Sequence, residues 1–182
     1  MRREHTLQQQ SPLPSGYRRL EYIQCTGTQR ITIPNYYPST NSLIKCRIKY
    51  TNNDTITIFQ VGTSNNRFML IRVNVSGRYD YIASCPYSNK TGIAVTDWQS
   101  GVWHDIEITY NRLTINGHDY ALNGVSGNVT QQYHFNIASQ NWGSYAYYPL
   151  IINSFEVQSA QGNVNLLAAL RESDNKPGMY DI

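Results

Sequence analysis

Residues 44 to 50 alternate strictly between apolar and basic side chains, and this pattern constrains the fold more than any other feature of the chain. The apolar positions are Ile44, Cys46, Ile48 and Tyr50, and the basic positions are Lys45, Arg47 and Lys49. Because successive side chains of a β-strand point to opposite faces, a period of two predicts a strand with one face in a core and the other in water. Strands of this half-solvated kind are typical of antiparallel sheets.

Short strand-like segments recur along the rest of the chain and are separated by clusters of Gly, Asn, Ser and Pro. They cover Leu20–Ile23, Arg30–Ile33, Thr55–Val61, Phe68–Val73, Arg78–Ala83, Val102–Tyr110, Arg112–Ile115, Tyr133–Ile137, Leu150–Val157 and Val164–Leu170. Only Asn165–Glu172 has a local composition that favours helix, and we assign it to a strand. Without a βαβ rhythm, the pattern predicts an all-β, two-sheet antiparallel sandwich or jelly roll.

The first seventeen residues differ in composition from the rest and predict an N-terminal arm. They contain three consecutive glutamines and the segment Ser11–Gly16, without a periodic apolar face. A flexible leader and a docking strand for a partner protein both remain open. The jelly-roll domain is then expected over residues 18–182, as a single unit.

Charge is concentrated at the N-terminus. Four arginines against Glu4 give +3 within the first nineteen residues, and the whole chain also carries +3, so the remainder is neutral. Because phosphate binding requires clustered Lys and Arg, a neutral body argues against a nucleic-acid partner.

The cysteines and histidines do not form a recognisable metal or disulfide pattern. Three cysteines without short spacing are neither a framework nor a metal site, although a Cys25–Cys85 bridge remains an alternative. The four histidines lack ligand spacing. We therefore expect no metal and no cofactor. We also expect no secretory signal peptide and no membrane span, because no apolar h-region follows the N-terminus and no stretch reaches about 18 apolar residues.

Three segments resemble one family in the same order. Leu20–Gln29 resembles the opening of concanavalin A-like domains common in gut bacteria and their phages. Trp103–Tyr110 with Leu113–Gly117 resembles the central hairpin of laminin G-like sandwiches, and Ile152–Val157 with Ser173–Asp181 resembles their closing part. The resemblance implies a concanavalin A-like jelly roll. The family usually continues with a further strand, which is here expected to be absent, replaced by a partner, or supplied by the arm.

The central hairpin also makes physical sense by itself. In Val102–Tyr110, His104 shares the inward face with the aliphatic residues and is expected to be a satisfied core histidine. Asn116-Gly117 supplies the pair of positive φ angles that closes a tight turn. We expect Trp103 to pack within the fold.

Catalysis deserves a test because relatives of this superfold include glycoside hydrolases, which carry Glu-x-Asp-x-x-Glu on one strand. Here only Asp105 and Glu107 remain, with Trp103 at the position of the first glutamate. Two carboxylates at i and i+2 lie about 6.5–7 Å apart, a separation that fits an acid–base pair. The simpler explanation is a solvent-facing polar stripe on the hairpin. We therefore predict a protein without catalytic residues.

The segment Gln140–Pro149 is the feature most suggestive of ligand recognition, and we expect it to be a loop or strand edge. Aromatic rings stack on the C–H faces of sugars and amides bond their hydroxyls. The candidate ligand-binding residues are Asn141, Trp142, Tyr145 and Tyr147, with Tyr36 and Tyr37 as a second group. The alternative is that Tyr147 and Tyr148 begin the next strand and that one of them packs inward.

These observations combine into a predicted role as a non-catalytic surface module. The preferred interpretation is a phage virion decoration or host-attachment protein that binds glycans, assembled in the host cytoplasm and displayed on the virion surface. Its partners would be a glycan or other virion or surface proteins, with self-association left open. The alternatives are a lectin module of the bacterial cell surface and a degenerate glycoside hydrolase.

Overall fold

The computed structural model describes residues 13–34, 36–37, 42–51, 55–63, 66–75, 78–84, 91–94, 99–109, 111–122, 134–142 and 144–181. Throughout these ranges the regular structure is β-strand. Within the same ranges there is no helix long and apolar enough to span a bilayer.

The described residues form seventeen strands. They are β1 Tyr17–Arg19, β2 Ile23–Thr26, β3 Ile31–Ile33, β4 Leu43–Lys49, β5 Ile56–Thr63, β6 Asn66–Val75, β7 Arg78–Ser84, β8 Thr91–Ala94, β9 His104–Ile108, β10 Arg112–Ile115, β11 His118–Ala121, β12 Phe135–Ile137, β13 Ser139–Trp142, β14 Ser144–Tyr147, β15 Pro149–Ser159, β16 Gly162–Arg171 and β17 Lys176–Asp181.

The strands form two large antiparallel sheets and one small hairpin. The nine-stranded sheet runs β1-β16-β15-β4-β9-β10-β11, with β17 paired to β16 and β2 paired to β15. The six-stranded sheet runs β3-β12-β5-β6-β7-β8, and β13 pairs with β14. The non-consecutive neighbours β15-β4 and β12-β5 are the crossovers of a jelly roll. The predicted all-β two-sheet sandwich is therefore confirmed.

The core lies between the two large sheets. Strand β4 contributes Ile44, Cys46 and Ile48, the apolar positions of its alternating pattern. An aromatic cluster crosses the interface: Phe155 of the nine-stranded sheet lies 6.0 Å from Phe59 and 5.7 Å from Phe135 of the six-stranded sheet, between ring centroids. Phe59 and Phe135 stack at 5.4 Å. This cluster fixes which faces of the sheets point outward.

Most strand predictions agree with the structure. The segment Asn165–Glu172 lies almost entirely in strand β16, which confirms the strand assignment against its helix-favouring composition. Asn116 and Gly117 have φ angles of 51° and 85°, as predicted for the tight turn between β10 and β11. The prediction missed β1, β8, β13, β14 and β17, which are short or begin in turn-like sequence.

The N-terminal boundary shifts by one residue. Tyr17 pairs with Arg171 at the start of β1, so the sandwich begins inside the predicted arm of residues 1–17. The backbone also anchors the preceding turn, because the Gly16 carbonyl accepts a hydrogen bond of 2.9 Å from the Glu172 amide. Residues 1–12 lie outside the described residues, so the arm itself stays a prediction.

Cys25 and Cys46 are free and buried, which excludes the Cys25–Cys85 bridge. Cys85 lies outside the described residues. Burial raises the pKa of both described thiols, and the nearby Asp105 carboxylate adds to the increase at Cys46. They are therefore small, unreactive hydrophobic residues.

Tyr36 requires a correction, because it was expected at a ligand-binding surface and instead lies in the core. Its side chain is 6% exposed, and its ring lies 6.3 Å from Phe135. The hydroxyl donates to the Gly162 carbonyl oxygen at 2.7 Å and lies 2.7 Å from Ser159 Oγ. Burial raises the pKa of this phenol, and the Ser159 hydrogen bond partly opposes the rise. A ring and hydroxyl that are both engaged cannot contact a ligand.

We predict that Tyr36→Phe lowers the free energy of unfolding by about 1 kcal/mol, because it leaves the Gly162 carbonyl without its hydroxyl donor. The neighbouring Tyr37→Phe is the matched control and should change stability by less than about 0.5 kcal/mol. Urea denaturation of the three proteins measures both differences. Equal midpoints for Tyr36→Phe and the unmodified protein would show that the hydroxyl contributes nothing.

Candidate functional site

Tyr22, Trp103 and Lys49 form an aromatic platform on the outward face of the nine-stranded sheet. The ring centroids of Tyr22 and Trp103 are 6.3 Å apart. The Lys49 ammonium lies 4.9 Å from the Trp103 ring centroid and 5.9 Å from that of Tyr22. Tyr22 is 40% exposed, and the adjoining Val102 is 46% exposed. Among the described residues, these are the large hydrophobic side chains most open to solvent.

Trp103 is directed outward because its neighbour in the chain is fixed inward. His104 is fully buried; its Nε2 lies 3.0 Å from the Gln99 carbonyl oxygen and its Nδ1 lies 3.1 Å from Asn116 Nδ2. A carbonyl only accepts and an amide NH₂ only donates, so these partners fix the neutral tautomer with the proton on Nε2. The prediction of a satisfied core histidine is confirmed. The pleat then places Trp103 on the opposite face.

The turn before Trp103 holds that ring at the end of strand β4. Gly101 has a φ angle of 80°, a conformation that favours glycine, and its amide donates to the Tyr50 carbonyl oxygen at 2.8 Å. This bond ties the start of β9 to the last residue of the alternating segment. Trp103 therefore lies beside Lys49.

Tyr22 reaches the same place from the N-terminal part of the chain. The pairing of β15 with β4 shifts register between Ile152 and Ser154, which marks a β-bulge around Asn153. The side-chain amide of Asn153 donates to the Glu21 carbonyl oxygen at 2.7 Å. This hydrogen bond holds the bend before β2 against the sheet and places the Tyr22 ring over the end of β4.

Two ion pairs extend along the same sheet face. The Arg47 guanidinium donates to both carboxylate oxygens of Asp105, each at 2.9 Å, and also lies 5.7 Å from the Trp103 ring centroid. Lys45 lies 3.7 Å from Glu107. Asp105 and Glu107 thus belong to a solvent-facing stripe of paired charges, which is the simpler of the two explanations offered by the sequence.

Neighbouring side chains cover most of Trp103, in agreement with the prediction that it packs in the fold, but the ring lies on the outward face of the sheet and not between the two sheets. The Tyr22 ring and two cations surround it there. Sequence reasoning missed the platform because Tyr22 and Trp103 are distant in the chain. The one available signal was the shared parity of Trp103 and Asp105 opposite the aliphatic positions.

Most of the segment Gln140–Pro149 belongs to the β13–β14 hairpin, where a loop or strand edge was predicted, and Pro149 begins β15. Asn141 pairs with Tyr145, and Trp142 pairs with Ser144. The side chains of Asn141, Trp142, Tyr145 and Tyr147 lie outside the described part of the structure, so their ligand role stays a prediction. Tyr148 packs partly against the core, as the alternative interpretation expected.

Tyr37, the other member of the second candidate group, is partly buried. Its ring packs against the core, and its amide donates to Gln161 Oε1 at 2.7 Å. The platform and the Tyr36–Tyr37 segment are therefore separate features, and the second group offers little open surface.

A row of polar residues crosses the outward face of the six-stranded sheet. Asn136 lies opposite Gln60 on one side and opposite Thr32 on the other. The Thr32 hydroxyl donates to Asn136 Oδ1 at 3.0 Å. Gln60 and Asn136 are buried, as is the nearby Thr57, whose hydroxyl has no hydrogen-bond partner. Because these residues are buried, this row offers no open surface to a large ligand.

A shallow groove of about 420 Å³ lies along β10 and β11. Its lining residues are Thr109, Asn111, Arg112, Asp119, Tyr120 and Ala121. The Asp119 carboxylate already accepts from the Thr114 hydroxyl at 2.5 Å and lies 3.9 Å from Arg112. Its charged groups are therefore paired with each other, and Tyr120 is the one aromatic ring in its lining, whereas the platform has two. Across the described ranges, no group of three His, Cys, Asp or Glu side chains is arranged to hold a metal ion.

Comparisons with known proteins identify the fold. No protein-family model and no curated protein matches the chain. Its structure is similar to that of a native heptameric SAP-like pentraxin from Limulus polyphemus, with a TM-score of 0.54 and 16% identity over 72% of each chain. It is also similar to CG-16, a homodimeric agglutinin from chicken liver (TM-score 0.47, 8% identity, 71% of this chain and 100% of that one). Galectin LEC-6 from Caenorhabditis elegans matches with a TM-score of 0.44 and 11% identity over 74% of this chain and 95% of that one.

The strand order and the pentraxin similarity define a concanavalin A-like jelly-roll sandwich. The resemblance inferred from the opening, hairpin and closing motifs is thereby confirmed at the level of the fold. A fold of this kind hosts many functions, so the function has to be argued from the site.

We predict that Trp103→Ala lowers the free energy of unfolding by about 1–2 kcal/mol, because the ring is only partly buried and lies outside the core, and cation contacts near the surface are weak. Phe155→Ala is the comparison and should cost about 3–5 kcal/mol, as expected for a core aromatic residue. Urea denaturation curves separate the two. A loss for Trp103→Ala as large as that for Phe155→Ala would show that the ring is a core element.

Proposed function

We propose that this protein is a non-catalytic carbohydrate-binding module whose aromatic platform stacks on sugar rings. The observation that carries the proposal is the pair of rings, Tyr22 and Trp103, 6.3 Å apart on an open sheet face. Tyr22 keeps 40% of its surface exposed, although it is a large ring that could have been buried.

The surroundings of the platform provide the other half of sugar recognition. Rings bind the apolar C–H faces of sugars, and nearby charged or amide groups bind the hydroxyls and set orientation. Asp105 offers carboxylate oxygens with 65% of its side chain exposed, and Arg47 beside it is 44% exposed. An Arg–Asp pair presents donors and acceptors side by side, which suits neighbouring hydroxyls on one sugar.

We predict that Trp103→Ala and Tyr22→Ala each weaken binding to a retained polysaccharide at least tenfold, equivalent to about 1.4 kcal/mol. Retention on immobilised polysaccharides, followed by titration with the retained one, measures the change. Lys45→Gln is the matched control, because Lys45 lies on the same face of β4 but pairs with Glu107 away from the rings. Circular dichroism should show that each variant is folded.

Two results would contradict this proposal. If Trp142→Ala abolishes retention while Trp103→Ala leaves it unchanged, the ligand binds the β13–β14 hairpin. If the protein releases products from a polysaccharide and both Asp105→Asn and Glu107→Gln stop that release, the module is a glycoside hydrolase.

We further propose that the module acts at the surface of a phage particle as a decoration or attachment protein. The support is the resemblance of its opening, hairpin and closing motifs to domains of gut bacteria and their phages, together with a basic, glutamine-rich N-terminal segment suited to docking. A lectin module of the bacterial cell surface is the alternative, since the same resemblance covers it.

We predict that mass spectrometry finds the protein in purified phage particles and that deleting residues 1–12 prevents its incorporation. This deletion spares Pro14 and Gly16, whose carbonyls hydrogen-bond to Tyr17 and Glu172, so the thermal midpoint should stay unchanged. Recovery in the bacterial surface fraction, with none in particles, would favour the alternative.

A further inference from the structure

We infer that the ligand of the aromatic platform is a sugar that carries a carboxylate, and that Lys49 is the residue that selects it. This inference rests on the proposed carbohydrate-binding function and narrows it to a class of ligand. Its basis is the way in which charge is distributed along strand β4.

The basic residues of β4 differ in their neighbours across the sheet. Lys45 lies between Glu107 of β9 and Glu156 of β15, and Arg47 lies between Asp105 of β9 and Ser154 of β15. Both therefore have a carboxylate beside them, and both form ion pairs. Because adjacent opposite charges neutralise each other, we do not expect these two residues to bind a charged ligand.

Lys49 has a different environment. Its partner on β15 is the apolar Ile151. On its other side lies Trp103, which precedes the first residue of β9. Its described contacts are with the Tyr22 and Trp103 rings, and none is with a carboxylate. Within the described residues, Lys49 is thus the cation of β4 whose charge no acidic side chain balances.

A cation that lies against the rings of a stacking surface matches the chemistry of an acidic sugar. In a hexuronic acid, the carboxylate lies on the rim of the same pyranose ring whose C–H groups form an apolar face. A ring stacked on Tyr22 or Trp103 can place this carboxylate next to the Lys49 ammonium. A hydrogen bond between an ammonium and a carboxylate is stronger than one with a neutral hydroxyl, so the acidic ligand gains over its uncharged counterpart.

The experiment compares oligogalacturonate with its fully methyl-esterified form, because esterification removes the charge and leaves the sugar ring unchanged. Binding of both is measured by calorimetry at low and at high salt, for the unmodified protein, Lys49→Gln and Lys45→Gln. We expect the unmodified protein to bind the acid at least tenfold more tightly than the ester at low salt. This ratio should fall towards one in Lys49→Gln and in high salt, and it should persist in Lys45→Gln.

The possible failures can be distinguished. Equal binding of acid and ester, lost in Trp103→Ala, would overturn this inference and leave the carbohydrate-binding platform intact. A preference for the acid that survives in Lys49→Gln would also overturn it, because another cation would be responsible. Binding that does not depend on Trp103 at all would overturn both this inference and the proposed function.

Discussion

The contact between the two sheets through Phe59, Phe135 and Phe155 determines which face of each sheet is buried and which face is exposed to solvent. Two of these rings stack at 5.4 Å, and both meet the third edge-on at 5.7–6.0 Å, so these three side chains connect the inner faces of the two sheets. Aromatic side chains bury large areas, and edge-to-face pairs add to that stabilisation. Once this face of each sheet is committed to the core, the strand period of two decides which residues point outward.

The platform is a consequence of that constraint and of three local features that refine it. The buried His104, bonded on both ring nitrogens, fixes the inward parity of β9 and turns Trp103 outward. The bend at Gly101 and the bulge at Asn153 then bring two distant segments to the end of β4. None of these features is a ligand contact, yet each one positions a ring. Bulges and positive-φ turns commonly redirect side chains in this way.

The sequence predicts the parts of this fold that depend on local pattern. The alternation in β4 and the Asn116-Gly117 turn are recognisable because each is encoded within a few residues. Tyr36 and the platform are different, because neither is encoded locally. The hydrogen-bond partners of Tyr36 lie more than a hundred residues away in the chain, and the two rings of the platform come from separate parts of the chain. Whether a tyrosine is buried depends on whether its hydroxyl finds a partner, and for Tyr36 that partner comes from Ser159 and Gly162. The composition of residues 140–149 likewise could not distinguish a loop from a hairpin.

The outward face of the nine-stranded sheet therefore has two regions with different physical roles. Along β4 and β9, paired charges keep the face hydrated, and exposed pairs of this kind contribute only about 0–1 kcal/mol each to stability. At the end of β4 the pairing stops, and a lysine stands among rings without an acidic neighbour. Stability alone does not require that change, because a carboxylate at position 103, directly before β9, would have continued the stripe. Trp103 in that position forms no ion pair. It instead provides a surface on which a sugar ring with an apolar face and a carboxylate on its rim can stack.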